Sequence, residues 1–212
     1  ELIRSNRFKL FTHFPTSPKN NMNADATQLR DKFAEFGHLN WWFISPMAIS
    51  ILSKELVNKD FVVVDDFCSK KDCARLRDFI VARRKEGKML SGTEWLSKVR
   101  KKGKNVRKEY VERLRKTTRS DLVFWCNGDR KGEECVSDYA ERLSTLLDKL
   151  KGEINELKQV ESRSEAMLTC YPPGGSRYSI HVDNPDPSKS KRKLTAILYL
   201  NPTWNKSHGG EL

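Results

Sequence analysis

The stretch His181-Val182-Asp183-Asn184-Pro185 decides how this sequence is interpreted. His181 and Asp183 stand two positions apart at the end of a predicted strand, 178–183. Alternate side chains of a strand point to the same face, so one imidazole and one carboxylate can reach the same ion. Such a pair is two-thirds of a facial triad, which holds Fe(II) and leaves coordination positions open. Because His-x-Asp is common by chance, the pair needs support from the residues around it.

That support comes from an ordered series of short motifs on both sides of the pair. Downstream of residue 166 the series reads Cys170-Tyr171-Pro172, Tyr178, His181–Pro185, Thr195–Asn201, Trp204 and Gly209–Leu212. Upstream it includes Val63–Phe67, Arg119-Ser120-Asp121 and Trp125. The series resembles the prolyl hydroxylases that sense oxygen by modifying the hypoxia-inducible factor, together with their bacterial relatives. The resemblance covers about 41–212 and is loose through a basic segment, 83–119.

The fold class predicted from the sequence is α+β. Helical patterns come first and a meander of strands follows, which is typical of helices packed on an antiparallel sheet or barrel. The resemblance implies the finer fold, a double-stranded β-helix (a distorted jelly roll) with supporting helices. We expect 1–40 to be a mostly irregular extension or linker and 41–212 to be the oxygenase domain, with 83–119 as a basic insertion.

Several elements can be predicted from spacing and from turn residues. Helices are expected at 27–36, from Pro46 onward, from Ser69 to about Gly87, and at 136–150. Strands are expected at 61–64, 121–125, 166–171, 178–183 and 193–200.

The resemblance implies roles for individual residues. His181 and Asp183 would bind the iron, and Tyr199 would donate its hydroxyl to the distal carboxylate of 2-oxoglutarate. Ile197 shares a strand face with Tyr199, so it can line the same pocket. The alternative is that both residues only pack in the core of the barrel. For Ile197 the two interpretations can both hold. For Tyr199 the functional role is favoured, because a buried phenol needs a hydrogen-bond partner.

Other implied roles surround the cosubstrate and the protein substrate. Tyr171, Met167 and Leu212 would lie beside 2-oxoglutarate, and Tyr178 would lie behind the iron ligands. Arg119 and Asp121 would close a loop that covers the substrate, in which case the basic segment is that loop, enlarged. The equally weighted alternative is a solvated, partly helical insertion.

Two residues that the resemblance to the prolyl hydroxylases implies are expected beyond Leu212. These are a second iron-binding His and an Arg that holds the cosubstrate carboxylate, whereas only 29 residues (212 − 183) follow Asp183. His208 lies in a turn rich in Pro, Asn and Gly and is interpreted as a loop residue. We therefore expect both ends of the chain to be cuts in a longer protein.

The implied reaction uses Fe(II), with 2-oxoglutarate and O₂ as cosubstrates and ascorbate as the expected reductant. It would hydroxylate a prolyl residue of a protein partner, and the motif at His181–Pro185 favours the oxygen-sensing group over the collagen group. A catalytically inactive relative is a further alternative, because the deciding ligands are absent from the sequence.

The distribution of positive charge supports a different function, that of a binding module. The formal net charge is +12, and 83–119 contributes fifteen Lys or Arg against four Glu, or +11. Such a segment can bind nucleic acid or an acidic partner. It contains few aromatic residues that could stack on bases, Trp95 and Tyr110, so nucleic acid is the weaker hypothesis.

Cysteine usage and hydropathy indicate where the protein works. The five cysteines are scattered without a Cys-x-x-Cys pair, as expected for reduced thiols in the cytoplasm or nucleus. The longest apolar run, 41–52, is interrupted by serines and a proline and is too short to span a membrane. We expect a monomer without a membrane partner.

Overall fold

The computed structural model describes residues 7–13, 42–92, 118–181, 183 and 191–209. The predicted helix at 27–36, residues 93–117 of the basic segment, Val182, residues 184–190 and Leu212 lie outside these ranges. The chain divides into two compact units: unit 1 is Glu1–Arg75, Asp138–Arg163 and Asn184–Gly209, and unit 2 is Leu76–Ser137, Ser164–Asp183 and Gly210–Leu212. Both contain helix and antiparallel sheet, so the predicted α+β class is confirmed.

Helix α1, Pro46–Lys59, begins where the sequence predicts. The Ser45 hydroxyl accepts a hydrogen bond from the Ala48 N–H (3.2 Å), and Pro46 occupies the first helical position, where its missing N–H is not needed. The helix ends at Asp60, which has a left-handed conformation with φ 66°. Its buried face carries Ala48, Ile49, Leu52, Ser53 and Leu56.

The sheet of unit 1 has its N-terminal strand in the middle. Strand β1, Phe8–Thr12, lies between β2, Phe61–Val64, and β6, Leu194–Leu198, and both pairings are antiparallel. The expectation that residues 1–40 are mostly irregular did not include this strand, which lies in the described part of that range. Burial explains why the strand forms: Phe8 and Leu10 are 1% and 4% exposed, and such apolar surface stabilises a strand wherever it lies in the sequence.

The core of unit 1 forms where this sheet meets the helices. The Phe8 ring stacks on Phe67 with centroids 4.0 Å apart. Arg142, only 7% exposed, donates to the Phe67 carbonyl (3.2 Å) and places its guanidinium 5.0 Å from the Phe43 ring centroid. The remaining members of the core are Leu10, Ala48, Ile49, Leu52, Leu56, Val62, Val64, Cys68, Cys73, Leu146, Leu150, Ile154 and Leu157.

Helices α2, Lys70–Lys85, and α3, Glu134–Glu153, contribute residues to both units. At the start of α2 the Ser69 hydroxyl accepts from the Asp72 N–H (3.1 Å), which is half of a capping box. The predicted stop near Gly87 is confirmed, because Gly87 has φ 66° just past the helix. Helix α3 includes the predicted 136–150 and continues to Glu153.

The sheet of unit 2 has the order β3-β4-β5, with strands Leu90–Ser91, Leu122–Cys126 and Ala166–Cys170. Strands β4 and β5 confirm the predicted strands at 121–125 and 166–171 within one residue at each end. The predicted strand at 178–183 is wrong over its described residues, where the only ladder contact is an isolated bridge between Arg119 and Tyr178. Ser179 donates its N–H to Thr118 (2.7 Å), but its carbonyl is taken by the His181 ring, so the ladder does not continue.

No helix in the described ranges is long and apolar enough to cross a membrane. All five cysteines lie within those ranges, and none of them forms a disulfide.

Candidate functional site

His181 and Asp183 lie side by side in unit 2, as the spacing predicts. The His181 Nε2 atom is 3.1 Å from Asp183 Oδ1. Their side chains are 38% and 28% exposed, so the pair is open to solvent on one side. The two-residue spacing brings the donors together although the segment is not a strand.

Hydrogen bonding fixes the tautomer of His181. Its Nδ1 lies 2.8 Å from the Ser179 carbonyl oxygen, which can only accept, so Nδ1 carries the hydrogen. Nε2 then presents a lone pair toward the Asp183 carboxylate. Nε2 and the carboxylate oxygen can then both act as donors to one metal ion.

The two donors, an imidazole nitrogen and a carboxylate oxygen, suit a metal ion that binds both kinds of ligand. Ligand atoms about 2.1 Å from one ion and at right angles are about 3.0 Å apart, close to the observed separation. The Nδ1–H bond to a carbonyl is also the support that metal-bound histidines usually have. Within the described ranges no group of three His, Cys, Asp or Glu residues could hold a metal ion, and the pair supplies two candidate donors.

A column of stacked side chains lies against His181. The Tyr178 ring stacks on the imidazole with centroids 3.9 Å apart and planes 22° apart. The Arg119 guanidinium lies over the same tyrosine, 4.2 Å from its ring centroid. Tyr178 thus contacts the candidate ligand His181 directly.

Arg119 and Asp121 form a buried ion pair beneath this column. They are 1% and 0% exposed, and Arg119 Nε donates to Asp121 Oδ1 at 2.7 Å. Burial lowers the pKa of Arg119, but the hydrogen bond and the charge of Asp121 more than offset it, so the pKa is raised overall. Gly92 packs against the pair, and a methyl group there would overlap both Arg119 Nε and Asp121 Oδ1.

Met167 and Tyr171 lie on and just after β5. Met167 is 40% exposed, and its sulfur is 3.8 Å from Arg119 Nη2. Tyr171 is 47% exposed. Unit 2 thus contains seven of the predicted site residues: His181, Asp183, Tyr178, Arg119, Asp121, Met167 and Tyr171.

Ile197 lies on β6 and Tyr199 follows directly after its end, and both belong to unit 1. The Tyr199 hydroxyl oxygen is buried and makes no hydrogen bond to a described residue. Burial raises the pKa of Tyr199 to about 12, and the charge of Arg7 partly offsets this. A buried hydroxyl that stays protonated and has no partner among the described residues can donate a hydrogen bond to an acceptor outside them.

Sequence reasoning missed two basic residues that flank Tyr199. Arg7 is its neighbour just before β1, and the Tyr199 N–H donates to the Arg7 carbonyl (2.9 Å). Lys9 places its ammonium 5.5 Å from the Tyr199 ring centroid. The signal that could have revealed them is the alternation in 7–12, where Phe8, Leu10 and Thr12 face the core and the residues between them do not.

The two remaining residues discussed from the sequence, His208 and Leu212, lie near the end of the chain. His208 lies in a 3-10 turn, Lys206–His208, and its ring Nδ1 accepts from the Asn205 N–H (3.3 Å), which agrees with its interpretation as a loop residue. Leu212 lies outside the described residues.

Comparison with known proteins places this geometry in a family context. Residues 166–212 match the family model of the 2OG-Fe(II) oxygenase superfamily. The match contains His181, Asp183, Ile197 and Tyr199, the residues singled out from the sequence for iron and cosubstrate.

Curated relatives extend the similarity toward the N-terminus. The chain is 30% identical to Egl nine homolog 1 of Homo sapiens over 151 residues, 71% of this chain and 32% of that protein. It is 40% identical to Prolyl hydroxylase EGLN3 of Homo sapiens over 98 residues, 44% of this chain and 38% of that protein. It is 34% identical to the Hypoxia-inducible factor prolyl hydroxylase of Caenorhabditis elegans over 98 residues, 45% of this chain and 13% of that protein.

The resemblance predicted from the sequence is confirmed by these similarities. The chain spans about a third of the length of the two human relatives.

Proposed function

We propose that this chain carries part of an Fe(II)- and 2-oxoglutarate-dependent dioxygenase that hydroxylates a prolyl residue of a protein in oxygen sensing. The observation that carries the proposal is the His181–Asp183 pair, with Nε2 and Oδ1 3.1 Å apart, inside the segment that matches the oxygenase superfamily. The names of the relatives support the prolyl substrate and the link to hypoxia-inducible factor.

In this proposal the residues of unit 2 prepare the iron position. His181 and Asp183 hold Fe(II), and the Ser179 carbonyl keeps the imidazole in the tautomer whose Nε2 can bind. Tyr178 keeps the imidazole plane in place, and the Arg119–Asp121 pair fixes the end of the segment that covers the substrate. Bound iron supplies the activation of O₂ and of the prolyl C–H bond, which no side chain of the protein can perform.

The cosubstrate roles are proposed for the other predicted residues. Tyr199 donates a hydrogen bond to the distal carboxylate of 2-oxoglutarate, and its raised pKa keeps that hydrogen in place at neutral pH. Ile197 lines the same pocket from the neighbouring position of the strand face. Tyr171, Met167 and Leu212 are proposed to lie beside the cosubstrate.

We further propose the double-stranded β-helix as the complete fold. The two small antiparallel sheets and the superfamily match support it. The oxygenase domain then includes β1 in addition to 41–212, because β1 pairs with two strands of that range. The basic segment 83–119 is proposed to be an insertion of that domain.

Fe(II), 2-oxoglutarate and O₂ are the proposed cofactor and cosubstrates, with ascorbate as the reductant that keeps iron in the ferrous state. The partner is a protein or peptide containing proline, and we propose a monomer in the cytoplasm or nucleus without a membrane or nucleic-acid partner. The absence of disulfides among the five cysteines supports a reducing compartment.

The test is 2-oxoglutarate turnover by the longer protein that contains this chain. Succinate is measured with Fe(II), with and without peptides that contain proline, for the wild type and for Asp183→Ala. We expect peptide-stimulated turnover in the wild type and a loss of at least about a hundredfold in the variant, because a metal ligand is removed. An Asp183→Ala variant that produces hydroxyproline at the wild-type rate would overturn the assignment of Asp183 as an iron ligand.

A further inference from the structure

Two cysteines flank the N-terminal cap of helix α2. Ser69 is the capping residue, because its hydroxyl accepts from the Asp72 N–H (3.1 Å) and its carbonyl accepts the first helical hydrogen bond, from the Cys73 N–H (3.0 Å). Cys68 is therefore the residue just before the cap, and Cys73 is the fourth residue of the helix. Side chains at these two positions often pack against each other, an arrangement called the hydrophobic staple. Here both members of the staple are thiols.

The two thiols are in contact and shielded from solvent. Cys68 and Cys73 are each 3% exposed and belong to the core of unit 1. The Cys68 S–H donates a hydrogen bond to the Cys73 sulfur, and this bond is the largest cause of a raised pKa at Cys68 and a lowered pKa at Cys73. Both are free thiols in this structure. A disulfide needs two side chains that point at each other, and the staple supplies that orientation.

Neighbouring groups influence the charge of the pair. Beyond the hydrogen bond between the thiols, burial raises the pKa of both and the Arg142 guanidinium lowers it. The Tyr139 hydroxyl is buried without a hydrogen-bond partner among the described residues, and burial, followed by charge on either sulfur, raises its pKa well above that of a free phenol. This phenol keeps its hydrogen and can donate to a thiolate. Cys73, in the first turn of a helix, is the more nucleophilic of the two cysteines.

We propose that Cys68 and Cys73 form a reversible disulfide when the protein meets a hydroperoxide. The Cys73 thiolate attacks the terminal peroxide oxygen, so that an S–O bond forms, the O–O bond breaks, and the alkoxide (hydroxide, for hydrogen peroxide) leaves and takes up a proton from solvent. The Cys68 sulfur then attacks the Cys73 sulfur, the S–O bond breaks, and hydroxide leaves as water with the Cys68 hydrogen. The two thiols lose two electrons in total, and the hydroperoxide is reduced to an alcohol and water.

The disulfide joins the segment that leads into α2 to the first turn of that helix. Phe67, the residue before Cys68, stacks on Phe8 of β1. Oxidation therefore ties the cap of α2 to a central residue of the core of unit 1. The oxidant reaches the sulfurs by opening of the first helical turn, which is accessible because Lys70 and Lys71 are exposed.

Mass spectrometry of the longer protein that contains this chain tests the proposal. Folded, reduced protein is treated with hydrogen peroxide, its remaining thiols are blocked with N-ethylmaleimide before unfolding, and the protein is digested with trypsin. Because trypsin cleaves after lysine and arginine, Cys68 and Cys73 end up in separate peptides, 60–70 and 72–75. We expect a species with the summed mass of these two peptides less two hydrogens, and its complete loss after treatment with dithiothreitol, a dithiol.

A matched pair of variants identifies the cysteines involved. Cys68→Ser should abolish the linked peptides, whereas Cys135→Ser, at a half-buried position of α3, should leave their yield unchanged. Wild-type protein in which Cys73 is converted to a sulfinic acid without any linked peptide would overturn the proposal. Peroxide that oxidises Cys170 and leaves both Cys68 and Cys73 as thiols would overturn it as well.

Amide hydrogen exchange of the wild type gives a second measurement, which needs no variant. The Asp72 and Cys73 N–H groups both donate to Ser69, so they exchange when the cap opens. We expect their exchange to slow by about tenfold or more in the oxidised protein, because the disulfide opposes that opening. Exchange at an unchanged or higher rate would mean that the disulfide does not lock the cap.

Discussion

Tyr178 is the residue whose position says most about the candidate iron centre. Its ring stacks on the His181 imidazole with centroids 3.9 Å apart, and the Arg119 guanidinium lies 4.2 Å from the same ring centroid. The stack restricts rotation of the imidazole about its Cβ–Cγ bond, while the Ser179 carbonyl restricts its tilt. A ligand held in two ways loses little conformational entropy when it binds a metal.

A substitution at Tyr178 tests this positioning. Tyr178→Leu should weaken Mn(II) binding by about tenfold to a hundredfold, the usual effect of removing a group that orients a metal ligand. Tyr178→Phe keeps the ring and should bind close to the wild type. The measurement is Mn(II) titration followed by electron paramagnetic resonance, with Co(II) absorption spectra to report the ligand geometry.

Circular dichroism of both Tyr178 variants serves as the folding control. A leucine variant that is folded, binds Mn(II) as tightly as the wild type and shows an unchanged Co(II) spectrum would mean that the stack does not position His181.

The ion pair beneath the column is important for stability. Asp121→Asn leaves the Arg119 charge buried without its carboxylate, and we expect the free energy of unfolding to fall by about 3–5 kcal/mol. Urea titration measures this. Asp138→Asn removes one of the two carboxylates near an exposed arginine, Arg75, and should cost less than about 1 kcal/mol. Equal losses in the two variants would contradict the burial argument.

At the scale of elements, β1 is the strand whose removal should matter most to unit 1. Phe8→Ala deletes a ring that is 1% exposed and stacked on Phe67, so the free energy of unfolding should fall by about 3–5 kcal/mol. Phe11 lies on the opposite face of the same strand and is half-buried. Phe11→Ala should therefore cost clearly less, as measured by thermal or urea unfolding.

Nearly equal losses in the Phe8 and Phe11 variants would show that the faces of β1 are assigned wrongly. A small effect in both would mean that the strand contributes little to the sheet.

Elements that obey local rules could be predicted from the sequence. Helix α1 has a serine cap and a proline at its first position, and α3 repeats its apolar residues with helical spacing, so each is specified by neighbours in the chain. The same holds for His181 and Asp183, whose two-residue spacing brings them together without help from distant residues.

Elements that depend on distant partners could not be predicted. Strand β1 is short and lies in a polar region, and it forms because β2 and β6 supply hydrogen bonds on both sides. For the same reason Arg7 was missed as a neighbour of Tyr199. The expected strand at 178–183 fails for a local cause, since the His181 ring takes the carbonyl that a ladder would need.

At the scale of the whole molecule, charge and the site residues are distributed unevenly. The segment 83–119 carries +11 of the formal net charge of +12, so the rest of the chain is nearly neutral. The iron-ligand pair belongs to unit 2, and Tyr199 belongs to unit 1 with Arg7. The residues proposed for the reaction are thus distributed over both units.

The central place of β1 also affects how the protein is made. Phe8 and Leu198 are partners in the ladder although 190 positions (198 − 8) separate them. A ribosome adds about 5–20 residues per second, so β6 is synthesised roughly 10 s or more after β1. During that interval one edge of β1 is an exposed strand edge, which can pair with another chain. The newborn protein should therefore depend on chaperones that shield extended apolar segments until translation reaches β6.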